Sequence, residues 1–338
     1  MSALDLVALQ GFLQLSGVKV DGELTAELIS GGRSNLTYAV RDSATHWVLR
    51  RPPTAGLTPS AHDVAREYRV ADGLQGTGVP VAETVVLCED ESVLGAPFSL
   101  VRHVDGVVIR SQEQLDAHPS GAIEACLDSL VDVIVDLHAV DYQACGLGDF
   151  GRPDGFLERQ IKLWARQWRH MELAAGDDIR ALHGWLTDNT PAQRYSSIVH
   201  GDYRIDNVIV DAENIGRIAA VVDWELSTLG DPLTDVALMC AYRNPAMDLV
   251  LGFPAAWTSP RLADGEQIAQ RYAERSGRDL SDWNFYLALA YFKLAVIAAG
   301  IDYRYRAGAG EGAGFDTAGH SVAPFIAAGL SATQGVTV

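Results

Sequence analysis

Apolar residues along this chain change rhythm near residue 110. Before that point they fall in short alternating runs; after it they recur every three or four positions. The opening stretch LVALQGFLQL predicts a short helix. LTAELISGGRSNLTYAVRDSATHWVLRRPP then reads as a strand, a glycine turn and two more strands, TYAVRD and HWVLRR, closed by Pro52–Pro53. AHDVAREYRVADGL has helical spacing, with Val64, Tyr68 and Leu74 as candidates for its buried side. VAETVVLCED and PFSLVRHVDG predict a further pair of strands. Beyond them, AIEACLDSLVDVIVDLHAV sets Ile123, Cys126, Leu130, Val133 and Leu137 on one helical face. FLERQIKLWARQWRHMEL is a second helix, and residues 232–242, 265–276 and 284–306 supply more. The strong strand signal in this half is one apolar hairpin, running from Ile198 through a turn at Asn214–Gly216 to Val222. GAGEGAGFDTAG (308–319) reads as a short flexible segment. The pattern predicts an α+β protein, with a small sheet-rich lobe over residues 1–105 and a larger, mainly helical lobe over 106–338.

Composition narrows the function. A chain of 338 residues, 48% apolar and 21% charged, can bury two cores and is not disordered as a whole. A net charge of −18 argues against nucleic acid or an anionic membrane as the main partner. The basic residues are nearly all arginine, the lysines being Lys19, Lys162 and Lys293, so chemistry that usually needs a lysine must find an arginine. Cys88, Cys126, Cys145 and Cys240 lie far apart with no CxxC, which suggests neither a disulfide framework nor a zinc site. The stretch MSALDLVALQGFLQL lacks the basic region of a signal peptide. FYLALAYFKLAVIAAGI carries Lys293 mid-run and falls short of an uninterrupted membrane span. A cytoplasmic location is the expectation.

Charge concentrates where the hairpin begins. HGDYRIDN (200–207) puts a His, two Asp and an Asn into eight residues, and VVDWE ends the ribbon on an acidic pair. Asp202 and Asn207 are close enough in sequence for a tight loop to turn both into one cavity, and Asp223 returns to the same end of the ribbon as Asn207. An aspartate can orient a hydroxyl and accept its proton, and Asn and Asp oxygens are hard ligands suited to Mg²⁺ carried in with phosphates. Turn-forming by Asp, Asn and Gly is the plain alternative for any one of these residues, but not for the ordered set.

That set matches H-x-D-x-x-x-x-N followed by an aspartate at a strand end. HGD and VVDWE resemble the aminoglycoside phosphotransferase and choline-kinase-like family. LRRPP, SNLTY and FKLAVI are most similar to the kinase-like domain fused to some acyl-CoA dehydrogenases, and the likeness covers roughly residues 25–310. The resemblance implies a two-lobed protein-kinase-like fold that binds ATP or GTP with Mg²⁺ and phosphorylates a small-molecule hydroxyl. Asp202 would be the base, Asn207 and Asp223 the metal ligands, and His200 a packing residue. Arg204 would sit near the γ-phosphate, or serve a surface salt bridge. The Ser30–Asn35 turn, with Gly31, Gly32, Ser34 and Asn35, would lie over the phosphates, although hairpins use Gly-Gly turns routinely. Arg50 stands where the third-strand lysine is expected, with Glu67 as its partner or else a solvated acid. Adenine would meet backbone groups near Arg102 and Val104, and Asp235 would support the catalytic loop.

The acceptor is less legible. The acidic excess of the larger lobe would favour a cation such as an aminoglycoside. Arg159, Lys162, Arg166 and Arg169 form a basic stripe that would suit a hydroxyacyl-CoA-type acceptor, or simply face solvent. Replacement of the usual lysine by Arg50 leaves a second class open, a non-catalytic nucleotide-binding regulator resembling a pseudokinase. A hydrolase is disfavoured, because neither a GxSxG elbow nor a metal-binding His pair is present.

Overall fold

The computed structural model describes residues 4–31, 35–52, 63–171, 176–310 and 312–335. Helix α1 (Leu6–Leu15) is started by Asp5, whose carboxylate accepts from the Val7 and Ala8 N–H groups. The small lobe continues through β1 (Thr25–Gly31), β2 (Leu36–Arg41), β3 (His46–Arg51), α2 (Val64–Gly73), β4 (Thr84–Cys88), α3 (Glu91–Leu94) and β5 (Phe98–Arg102). The five strands form one antiparallel sheet in the order β1-β2-β3-β5-β4.

Strand periodicity explains how this sheet serves both a core and a cleft. Trp47 and Leu49 point to one face, where they join Tyr38, Val40, Phe98, Leu100, Leu9 and Leu13 in the small-lobe core. Their neighbours Val48 and Arg50 therefore point to the other face and line the space between the lobes. In α2 the inward positions are Val64, Glu67, Val70 and Ala71, so the carboxylate of Glu67 occupies a buried position among apolar ones. Tyr68, expected inside, is half-buried and lines the interlobe cleft instead. Val70, Leu74 and Val79 pack into the core of the larger lobe, so α2 joins the two lobes despite preceding residue 105.

The larger lobe contains α4 (Gln112–Asp116), α5 (Ser120–Ala139), α6 (Phe156–His170) and α7 (Asp177–Asp188), then β6 (Ser197–Val199), β7 (Val208–Val210), β8 (Ile218–Val221) and β9 (Thr228–Gly230). Helices α8 (Leu233–Ala241), α9 (Met247–Leu251), α10 (Gly265–Ser276), α11 (Trp283–Arg306) and α12 (Val322–Thr333) complete it. All five residues assigned to the inner face of α5 are buried. Two short antiparallel ribbons, β7–β8 and β6–β9, lie at the lobe boundary. Their register matters: Val208 faces Val221, and the Val222 N–H donates to the Asn207 carbonyl at 2.9 Å, so Asn207 and Asp223 share the open end of one ribbon.

Helices α3, α4, α7, α9 and α12 and the β6–β9 ribbon depart from the sequence reading. The ribbon strands and α3, α4 and α9 carry too few residues to announce themselves, and α12 is too uniformly apolar. Within the stretch read as flexible, Phe315 and Ala318 lie in the core. Helix α11 is long and apolar enough to cross a membrane by length and composition, but most of its apolar window is buried inside the protein. It is the central helix of the large-lobe core.

Candidate active site

A cleft of about 1020 Å³ opens between the lobes, and Arg50, Glu67, Asp202, Arg204, Asn207 and Asp223 all line it. The loop after β6 reaches the cleft through Gly201, whose φ of 84° is a left-handed conformation that glycine adopts freely. Asp235, at the start of α8, accepts the backbone N–H groups of His200 and Gly201 at 2.6 and 2.8 Å. The Asp235 carboxylate also meets His138 Nε2 at 3.3 Å, and Tyr272 meets the other ring nitrogen of His138 at 2.8 Å. Fully buried His200 accepts the Asp202 N–H at Nδ1 (3.2 Å) and reaches the Val222 carbonyl through Nε2 (3.0 Å). It staples the loop to the ribbon end, a packing role.

Asp202 stands at the centre of the polar wall. Its Oδ2 accepts from Asn207 Nδ2 at 2.9 Å, and the same amide donates to the Asp202 carbonyl at 2.7 Å. Its Oδ1 accepts from the Tyr242 hydroxyl and lies 3.5 Å from Arg204 Nε. Arg204 is no surface residue: its guanidinium pairs with Asp206 and lies 5.5 Å from the centre of the Tyr242 ring. Burial opposes the charge on Arg204, yet Asp206 and Asp202 beside it hold its pKa above the usual arginine range. Burial pushes the Asp206 carboxyl up, and Arg204 pulls against that.

Asp223 alone among the described non-glycine residues has a positive φ, 67°. Asp and Asn tolerate this conformation better than other side chains, and the cost is on the order of 1 kcal/mol. Asn207 and Asp223 offer oxygen donors at one ribbon mouth, which fits a hard divalent cation. Among the described residues, no group of three or more His, Cys, Asp or Glu could hold a metal without help. Two protein ligands completed by phosphate oxygens are the arrangement this donor set suits.

On the small-lobe side, Arg50 Nη1 lies 2.9 Å from Glu67 Oε2, so Glu67 is paired rather than solvated. Asn35 is buried and donates to Glu67 Oε1 at 2.9 Å; it buttresses the ion pair in addition to lining the cleft. Burial pushes the Glu67 carboxyl up to about 7, outweighing the pull of Arg50. Gly31 closes β1 opposite Leu36, whereas Gly32 and Ser34 lie outside the described residues. Arg102 and Val104 both line the cleft. The Arg102 N–H is committed to the Glu83 carbonyl and that of His103 to the His46 carbonyl. No hydrogen bond from the Val104 N–H is seen among the described residues.

Two residues beside Asp202 escaped the sequence reading. Lys293 of α11 donates to the Gly201 carbonyl at 2.7 Å and lies 5.5 Å from the Trp164 ring centre. Tyr242 follows Asp235 by seven residues on a predicted helix. Two full turns put both on one face, so the support assigned to Asp235 was the signal that could have found Tyr242.

Part of the cleft lining is apolar: Met247, Val250 and Leu251 of α9 and Leu294, Ile297 and Ile301 of α11 line it, with Arg304 one turn beyond Ile301. The basic stripe on α6 does not line the cleft: Lys162, Arg166 and Arg169 are directed elsewhere, and Arg159 donates to the Arg152 and Asp154 carbonyls. Asp128 and Asp132 of α5 meet α10, where Arg271 pairs with Asp128 and Arg275 with both.

A small antiparallel lobe over a helical lobe, with a loop aspartate facing an asparagine and a second aspartate across the mouth of a ribbon, defines a kinase-like phosphotransferase fold. The chain belongs to the phosphotransferase enzyme family, whose model matches residues 25–276. It is 36% identical over 299 residues to acyl-CoA dehydrogenase family member 10 of Mus musculus, covering 87% of this chain and 28% of that protein. Against member 11 of Homo sapiens it is 32% identical, covering 90% of this chain and 40% of that one. The chain thus spans well under half the length of these curated relatives. The structure of a candidate aminoglycoside phosphotransferase from Ralstonia eutropha is 34% identical, with a TM-score of 0.86 over 99% of this chain and all of the other. A thermostable mutant of an aminoglycoside phosphotransferase, solved with ADP and hygromycin B, shares the fold with a TM-score of 0.61 at 16% identity, over 94% and 97% of the two chains.

Proposed function

We propose that this protein transfers the γ-phosphate of a magnesium-bound nucleoside triphosphate to a hydroxyl of a small molecule. The observation that carries this reading is the convergence of Asp202, Asn207, Asp223 and the Arg50–Glu67 pair on one cleft. Asp202 would hold the acceptor hydroxyl and take its proton as the oxygen–phosphorus bond forms. Asn207 and Asp223 would hold the magnesium, which supplies charge neutralisation at the phosphate oxygens. Arg50, fixed by Glu67, would meet the phosphates with a permanent, planar cation. Buried Arg204 places a second positive charge next to the base.

The apolar part of the cleft wall bears on the acceptor. A polycationic aminoglycoside needs carboxylates at that wall, whereas Met247, Val250, Leu251, Leu294, Ile297 and Ile301 offer a carbon-chain surface with Arg304 at its end. This supports an acceptor with an aliphatic body and an anionic end, of which hydroxyacyl-CoA compounds are the leading candidates. The test is nucleotide consumption with ATP and with GTP across aminoglycosides, amino alcohols and hydroxyacyl-CoA compounds. Turnover with the last group alone is expected. Turnover with aminoglycosides alone overturns the acceptor assignment. A nucleotide-dependent thermal shift without turnover on any acceptor favours the regulatory reading.

A further inference from the structure

Tyr242 donates to Oδ1 of the proposed base, the oxygen that the Asn207 amide does not touch. Asp202 Oδ2 accepts from the Asn207 amide at 2.9 Å. Each carboxylate oxygen can accept a second hydrogen bond; Oδ1 is the one assigned to an incoming hydroxyl, and there it meets the Tyr242 phenol. The phenol is placed by the same helix that places the loop. Asp235 at the start of α8 grips the backbone just before the base, and Tyr242, two turns later at the helix end, grips the base itself. The ring of Tyr242 is 6% exposed and lies against the Arg204 guanidinium, so it is a fixed part of the wall. Burial raises the Tyr242 pKa well above that of an ordinary phenol, so the hydroxyl stays a donor.

Every phosphotransferase faces a competing nucleophile in water. A water bound at Oδ1 would surrender a proton to Asp202 while its oxygen bonds to the γ-phosphorus. The bridging bond to the β-phosphate then breaks, releasing inorganic phosphate and nucleoside diphosphate. We propose that Tyr242 is a positioning residue that occupies the acceptor-hydroxyl position on Asp202 until an acceptor displaces it, and so suppresses nucleotide hydrolysis. This inference rests on the phosphotransferase reading of the same cleft.

The test needs no acceptor. Wild-type protein and Tyr242→Phe are incubated with ATP and Mg²⁺, and release of inorganic phosphate is followed; the ring is kept and one hydroxyl is lost. The expected result is roughly fivefold faster release in the variant, the rate equivalent of one hydrogen bond. Adding Asp202→Asn to the Phe variant should return release to the wild-type level or below. A merely structural role for the hydroxyl would lower the melting temperature without raising hydrolysis. Unchanged or slower release in Tyr242→Phe, with its ATP-dependent thermal shift intact, overturns the inference, as does fast release that survives Asp202→Asn. Absence of any ATP-dependent shift in the wild type overturns the phosphotransferase reading itself and the inference with it, which separates the two failures.

Discussion

Arg50 Nη2 lies 3.1 Å from Asp223 Oδ1, so the cation of the third small-lobe strand reaches across the cleft to the candidate metal carboxylate. The other terminal nitrogen holds Glu67 at 2.9 Å. One guanidinium thus ties the sheet, α2 and the ribbon of the larger lobe together. A metal ion arriving at Asp223 must share that carboxylate with Arg50 or release the arginine toward the phosphates.

A lysine cannot reproduce this geometry. Its single ammonium is a point charge, whereas the planar fork of arginine satisfies two carboxylates in different directions. Arg50→Lys is expected to weaken nucleotide binding by about tenfold, the equivalent of one lost charged hydrogen bond (~1.5 kcal/mol). Titration of the thermal shift with ATP at fixed Mg²⁺ measures it. A lysine variant that binds as tightly as the wild type would show that only the charge at this position matters.

Asp202→Asn keeps the shape of the side chain and removes its ability to take a proton. The Asn207 and Tyr242 contacts fix where that side chain sits, so the change isolates the chemistry. Transfer should fall by on the order of 10²–10⁴, the usual worth of a positioned base. Nucleotide affinity, read by thermal shift, should change little. Transfer at the wild-type rate would remove Asp202 from the role of base.

Much of this site was legible because chemistry forces sequence to be local there. His200, Asp202, Asn207 and Asp223 sit on one ribbon and the loop that leads into it, so their spacing carries their geometry. The Arg50–Glu67 pair was readable through the resemblance, which puts a cation on the third strand and its acid on the helix that follows. Long-range partners were not readable. Lys293 meets the Gly201 carbonyl from 92 residues away, and nothing local to either residue announces it. Whether Arg204 serves the cleft or a surface salt bridge stayed open in the sequence, because burial of a charge depends on the whole fold, and here Asp206 pairs with it. The apolar part of the cleft lining lay hidden for a similar reason. Leu294, Ile297 and Ile301 are spaced like any core stripe, and only tertiary packing reveals that their side faces a cleft.

Two glycines make opposite predictions. A Cβ at Gly201 would lie 2.8 Å from the Leu226 carbonyl oxygen, and the backbone there has φ of +84°. Gly201→Ala should cost about 1–3 kcal/mol of folding free energy and impair transfer, because the strained residue adjoins the base. A methyl group added at Gly184, inside α7, would meet nothing within 4 Å. Gly184→Ala should stabilise by about 0.5–1 kcal/mol with transfer unchanged. Denaturant unfolding of both variants tests the pair, and equal effects would refute the conformational assignment.

Glu67 predicts a pH dependence whose sign follows from its burial. Burial raises its pKa from 4.5 to about 7 in the fold, against the attraction of Arg50. The folded protein therefore binds a proton at Glu67 more readily than the unfolded chain does between those two values. Stability contributed by that proton is fully present below about pH 4.5 and is lost as pH rises toward and through 7. Above that point the buried carboxylate is charged and relies on Arg50 and Asn35. In nucleotide-free protein, acidification from about pH 8 to about pH 5.5 should thus stabilise the wild type relative to Glu67→Gln, which has no proton to gain. Urea unfolding of both proteins at the two pH values, with Mg²⁺ withheld, reads the difference directly. The same proton removes the negative charge that fixes Arg50, so nucleotide affinity should weaken over the window in which stability improves. An identical pH response in wild type and Glu67→Gln would show that Arg50 overcomes burial and keeps the carboxylate ionised throughout.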